Sequence, residues 1–229
     1  GGSDKCTYYI SLGLNDENGM LIHNDYRRYN FNANLTMKPS DRVRIDIGAE
    51  AARQESEMPY SSVDPFKYAY FSNPYERAFN EDGSYAADRT WFSLGYWNGR
   101  QDEQVMPENG FNILRELDSN NTSTVNTTGP VRAQIDVTLF GPLHFNGLAS
   151  YTFSNNSTDR TVDKYTWTAF RDRLGSDDRS QTNLYGNISQ NRTNRNSYVL
   201  RGHLTFNRTL NELNNLKDIA GAEIRGANS

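Results

Sequence analysis

A single cysteine in 229 residues, Cys6, leaves this chain without an internal disulfide and without a Cys/His metal cluster. Histidine is almost as scarce. His23, His144 and His203 lie far apart and form no HExxH or comparable zinc pattern, so the expected metal is none and no cofactor motif is present. No run of about 18 or more apolar residues occurs and the mean hydropathy is −0.83, which excludes a transmembrane helix. Neither excludes a transmembrane β-barrel, whose strands alternate apolar and polar residues and so look soluble on average. Neither sign of charge dominates. Lys and Arg number 24 and Asp and Glu 28, a net −4, so there is no broad basic field and nucleic acid is not an expected partner. The first residue is Gly1 rather than methionine and no signal segment opens the chain, which is expected to be a piece of a longer protein.

What is present is period-two alternation, the pattern that sends successive side chains to opposite faces of a strand. In 28–38, Tyr29, Phe31, Ala33, Leu35 and Met37 interleave with Arg28, Asn30, Asn32, Asn34, Thr36 and Lys38. After Pro39-Ser40-Asp41, the residues Val43, Ile45, Ile47, Ala49 and Ala51 interleave with Arg42, Arg44, Asp46, Gly48 and Glu50, which predicts a tight hairpin. A second hairpin turns at Gly141-Pro142. Before it Val131, Ala133, Ile135, Val137 and Leu139 alternate with Arg132, Gln134, Asp136 and Thr138, and after it come Leu143, Phe145, Ala149, Tyr151 and Phe153. Together with weaker or terminal segments, strands are expected near 5–14, 28–38, 42–52, 131–140, 143–154, 196–207 and 218–226.

The connections differ in length. Short turns at 39–41 and 141–142 oppose long loops at 54–130 and 155–195, and strands running alternately up and down put the long loops at one end. That asymmetry, with no Lys or Arg on the apolar faces and aromatic residues at strand ends, fits a membrane barrel wall. A charged side chain at midplane on a lipid face costs roughly 2–4 kcal/mol. On this reading Phe31, Leu35, Ile45, Ile47, Ile135 and Val137 face lipid, and Arg28, Arg44, Glu50, Arg132 and Asp136 face the lumen. The alternative is a soluble, surface-exposed β-sandwich that binds glycan or acts as an adhesin, since its strands alternate too.

Two loop segments, 110–118 and 163–175, have the three- and four-residue apolar spacing of short helices. Loop 54–130 is rich in aromatics. Of these Tyr68, Tyr70, Tyr75, Trp91, Tyr96 and Trp97 are candidate substrate contacts, because flat rings beside Asn, Asp and Arg stack on a sugar or peptide while its polar groups are hydrogen-bonded. The same rings could instead hold the loop together or contact a partner protein. No catalytic constellation is present, and the chain reads as no enzyme.

Four stretches carry a resemblance: GGSDKCTYYISLGLNDENGML at the start, RYNFNANLTMKPSDRVRI over 28–45, NPYERAFNEDGSY over 73–85, and TAFRDRLGSDDRSQTNLYGNISQNRTNRNSYVLRGHLTF over 168–206. They resemble the SusC/RagA family of TonB-dependent outer-membrane transporters. The resemblance implies an all-β chain, an antiparallel transmembrane β-barrel segment that is part of a 22-stranded barrel, with long extracellular loops containing short helices. A plug domain and the segment that contacts TonB would lie outside it. It further implies residence in the cell outer membrane, contact with outer-membrane lipid, a SusD-like surface lipoprotein as lid, and glycan or peptide cargo.

Overall fold

The computed structural model describes residues 1–88, 111–174, 185–211 and 214–229. Its strands are β1 (Gly2–Ser3), β2 (Cys6–Asn18), β3 (Asp25–Ser40), β4 (Val43–Pro59), β5 (Asn121–Phe140), β6 (Leu143–Val162), β7 (Asn187–Asn211) and β8 (Asn214–Asn228). They form one antiparallel sheet in sequence order, each strand paired with the next. The sheet is open. Among the described residues it has eight strands and its two ends do not pair, so the expected 22-stranded barrel is not shown.

The β3–β4 and β5–β6 turns are tight because their residues permit it. Gly141 takes φ +44°, the left-handed region that favours glycine, and Pro142 follows with its φ already fixed. These turns and the β7–β8 turn lie at one end of the sheet. The strand ends that bound 19–24, 60–120 and 163–186 lie at the other, as the alternation of strand direction requires.

The strands outrun their expected limits. Residues 53–59, 121–130, 155–162 and 187–195, expected as loop, continue the ladder, so β5 and β6 each have 20 residues and β7 has 25. Alternation fails there because both faces are polar. The rows Gln54–Asn126–Asn156–Thr193 and Arg53–Thr127–Asn155–Asn194 are adjacent in register and face opposite ways. A strand wet on both sides has no hydrophobic period to read.

Among the described residues three helices lie in the long connections: α1 (Pro65–Phe71), α2 (Ile113–Ser119) and α3 (Trp167–Leu174). The last two answer the expected segments 110–118 and 163–175. Helix α1, inside the stretch expected as loop, was not expected and starts at Asp64-Pro65. The Asp64 carboxylate accepts from the Phe66 and Lys67 amides at 2.9 and 3.1 Å, and Pro65 stands at the first helical position where its missing N–H costs nothing. Asn112 caps α2 through the Arg115 amide at 3.0 Å.

The buried hydrophobic residues are Tyr68, Ala86, Phe111, Leu117, Val162, Ala169 and Phe170, all in this helical cap or at the strand end that carries it. The sheet has no second layer against either face among the described residues. Leu12 is 81% exposed, Ile224 63% and Leu200 50%. A β-sandwich would cover those side chains with a second sheet, so the sandwich alternative does not describe this chain.

Candidate functional site

The register brings the expected apolar residues into one surface. Leu35 stands opposite Ile47 and Ile47 opposite Ala133; Ile45 lies between Met37 and Ile135; Val43 faces Val137, which faces Phe145; Phe31 stands between Leu12 and Ala51. The row Ala149–Leu200–Ile224 carries the same face to β8. From the level of Phe31 down to that of Val43 this face holds no charged residue. Its extent along a strand, for example Tyr29 to Met37 or Val43 to Ala51, matches the roughly 9–11 residues with which an inclined strand crosses a bilayer.

Aromatic side chains border the band. Tyr151 pairs with Tyr198 across β6 and β7, and Phe153 and Tyr29 stand near the same level. Two of these rings lie over glycines of the neighbouring strand. Phe153 covers Gly129 and Tyr198 covers Gly226, where an added Cβ would meet the tyrosine ring at 2.7 Å. Gly129→Val should therefore push Phe153 off its strand and destabilise the sheet by about 1–3 kcal/mol. A lowered midpoint of thermal unfolding in detergent checks this.

The opposite face is polar. Arg44 stands opposite Asp136, Arg132 opposite Gly48, Glu50 opposite Asn32, and Arg28 opposite Gln54. Arg44 donates to Asp46 at 2.9 Å, Asp46 accepts from Thr36 at 2.5 Å, and Asp136 accepts from Asn146 and, at 3.2 Å, from Gln134. Gly48 has a packing role here. A Cβ on it would come within 2.8 Å of Arg132 Nε and 3.0 Å of Asn34 Oδ1, so its hydrogen leaves the groove through which Arg132 crosses β4. Leu148, Val199 and Ile219 are large aliphatic residues on this side within the level of the band. Toward the short turns the face hollows into a recess of about 1060 Å³ lined by Lys38, Arg44, Asp136, His144, His203 and Lys217, among others.

The cap is organised around two buried polar residues that the sequence reading did not single out. Glu116, 1% exposed, accepts from the Trp167 and Thr168 amides, the latter at 3.1 Å, and from Thr168 Oγ1 at 2.7 Å, so a side chain of α2 caps the N-terminus of α3. Burial raises its pKa from the ordinary carboxyl value, outweighing the hydrogen bonds that pull it down. Asn120, fully buried, accepts from the Asp163 amide at 2.8 Å, and its own carbonyl accepts from the Tyr60 amide at 3.0 Å. It thus ties the ends of β4 and β6 to α2. Thr168 Oγ1 also accepts from the Ser62 amide at 2.9 Å.

The candidate aromatics divide. Tyr68 is buried, packs edge-on against Phe111 with ring centroids 5.5 Å apart, and donates to Asp88; burial first and the Asp88 carboxylate second push its hydroxyl pKa up. Among the described residues it is part of the buried core of the cap. Tyr70 and Tyr75 are 82% and 90% exposed on the cap surface. Trp91, Tyr96 and Trp97 lie outside the described residues. Nearby, Asp118 accepts from Tyr85 at 2.8 Å and pairs with His23 Nε2 at 2.8 Å, linking the β2–β3 turn to α2. The hydrogen bond to Asp118 raises the His23 pKa and lowers that of Asp118, so the charged pair persists from below the ordinary carboxylate range to above the ordinary imidazole range. No cluster of three metal-ligating side chains occurs among the described residues.

With two faces and a cap defined, the fold can be placed among known structures. The chain is similar to the RagAB peptide transporter, with a TM-score of 0.65 over 99% of this chain at 14% identity, covering 23% of that chain. It is similar as well to the RagAB peptide importer in its "open-open" state, with a TM-score of 0.65 over 99% of this chain at 14% identity and 24% of that chain. For the "closed-closed" state the TM-score is 0.62 over 98% of this chain, again at 14% identity and 24% of that chain. The likeness is one of fold, and this chain spans less than a quarter of the length of those proteins. No protein-family model matches the chain, and no curated protein does.

Proposed function

We propose that this chain is part of the wall of a SusC/RagA-type TonB-dependent transporter in the cell outer membrane. The carrying observation is the pair of faces: a charge-free apolar band of membrane height on one side, exposed, and an Arg- and Asn-rich polar surface on the other. One face meets hydrocarbon and the other lines a water-filled lumen. The strand ends above the band, polar on both faces, project beyond the membrane and carry the cap outside the cell.

The open edges support the same reading. β8 pairs on one side only, and β2 is flanked on its outer side by just the two residues of β1. Such edges invite aggregation unless another strand pairs with them. Further strands of a longer protein would complete the barrel, with a plug and a TonB-contacting segment supplied from outside this chain.

The cargo on this reading is an oligopeptide or an oligosaccharide, and the fold shared with peptide importers favours the oligopeptide. A SusD-like surface lipoprotein would close over the mouth, and exposed Tyr70 and Tyr75 on the cap suit contact with that lid or with cargo. The protein acts by transport and is no enzyme. Deleting the gene that carries this chain should abolish growth on oligopeptide as the nitrogen source and spare growth on free amino acids. Equal growth of the deletion strain on both contradicts the proposal.

A further inference from the structure

Building on the transporter reading, we infer that the polar face selects an acidic oligopeptide. The whole chain carries a net −4, yet five of its arginines stand on the polar face toward the cap. Arg28, Arg132, Arg160, Arg195 and Arg225 occupy that part of the face, against Glu17 and Glu50. All five are exposed. Arg225 is matched by Glu223 at 2.9 Å, and Arg160 lies 4.3 Å over the Tyr60 ring.

Arg28, Arg132 and Arg195 have no carboxylate within 4 Å among the described residues. Arg28 donates to the Asn30 side-chain carbonyl at 2.8 Å, and Asp46, diagonal to Arg132 across β4 and β5, is engaged by Arg44 at 2.9 Å. The outward face is treated differently. Arg27 is matched by Asp16 at 3.3 Å and Arg53 by Glu55 at 2.6 Å, leaving Arg192 as the unmatched arginine at that level. Open guanidinium groups thus line the face that a lumenal ligand passes, with Arg201 one row below them on β7.

Their spacing suits an extended chain. On β4 the level of Arg28 is that of Gln54 and the level of Arg132 is that of Gly48, a rise of about 20 Å at about 3.3 Å per residue. Arg195, opposite Ser154, stands between them. An extended peptide of about six residues covers that rise. Carboxylates along it can each take a forked guanidinium contact, while Asn32, Asn34 and Ser150 offer neutral partners to its backbone.

The test uses the intact protein in detergent and four fluorescent probes of matched length: a Glu/Ser peptide, a Gln/Ser peptide, a Lys/Ser peptide and an oligogalacturonate. The acidic peptide should bind at least about tenfold more tightly than the neutral one, and the ratio should shrink with salt. Replacing Arg28, Arg132 and Arg195 together by Gln should bring the ratio to about one, replacing all three by Lys should retain most of it, and Arg53→Gln on the opposite face should leave it intact. Heat-modifiable mobility of each variant checks that the barrel has formed. Equal binding of all peptides overturns the inference, as does a preference that survives the triple Gln variant. Tight binding of oligogalacturonate without the acidic peptide overturns the peptide class. In each of those cases a detergent-dependent, membrane-inserted protein leaves the transporter reading standing; recovery as a water-soluble monomer removes that reading and the inference with it.

Discussion

Arginine at both Ile45 and Ile135 is expected to abolish insertion into a bilayer. The two residues are direct cross-strand neighbours in the apolar band. Each arginine near midplane costs roughly 2–4 kcal/mol, and two side by side add like-charge repulsion, so the pair removes about 4–8 kcal/mol, comparable to the whole stability of a typical domain. The control is Gln134→Arg, one residue away on the opposite face beside Asp46 and Asp136, which should insert normally. Refolding into lipid vesicles, followed by the shift in gel mobility of the folded barrel, reads both. Equal insertion of the double variant and the control contradicts the assignment of faces.

Glu116→Ala should unfold the cap while leaving the sheet inserted. It strips acceptors from two backbone amides and the Thr168 hydroxyl in a site that is 1% exposed, and it leaves a void. Unsatisfied buried donors plus a cavity cost about 3–5 kcal/mol. Hydrogen exchange would show protection lost over α1, α2 and α3 and retained in β3 to β6. The carboxyl also carries a pH dependence. Its pKa in the folded cap lies above its ordinary value, so the folded state holds the proton more tightly. The stability this contributes is complete below the ordinary carboxyl range and is lost as pH rises through the raised folded value. Glu116→Gln, which cannot titrate, should flatten that slope.

The sheet was legible in the sequence wherever apolar and polar residues alternate along a strand. Residues such as Ile45 and Asp46 cannot exchange faces without slipping the register of a whole strand, so alternation pointed to the pairing of 28–38 with 42–52 that the register shows, though not to its full length. The upper strands escaped because Thr127 and Asn126 are equally at home on either side. Glu116 escaped for a different reason. A buried carboxylate is defined by what converges on it, and its donors stand at 167 and 168, fifty-odd residues away in sequence with no local mark. Tyr68 shows the limit of reading aromatics by type: Tyr68 and Tyr70 are two residues apart, and only packing against Phe111 separates the buried ring from the exposed one.

Spin-label accessibility along β5 tests the two-faced wall most directly. Cys6 is the chain's one thiol, so in a Cys6→Ser background a single cysteine can be walked through residues 131–139 and labelled in bilayers. The account predicts that labels at 131, 133, 135, 137 and 139 collide with oxygen, which dissolves in lipid, and that labels at 132, 134, 136 and 138 collide with a water-soluble nickel chelate. Uniform exposure to the chelate at all nine positions, or no alternation between the two quenchers, would contradict it.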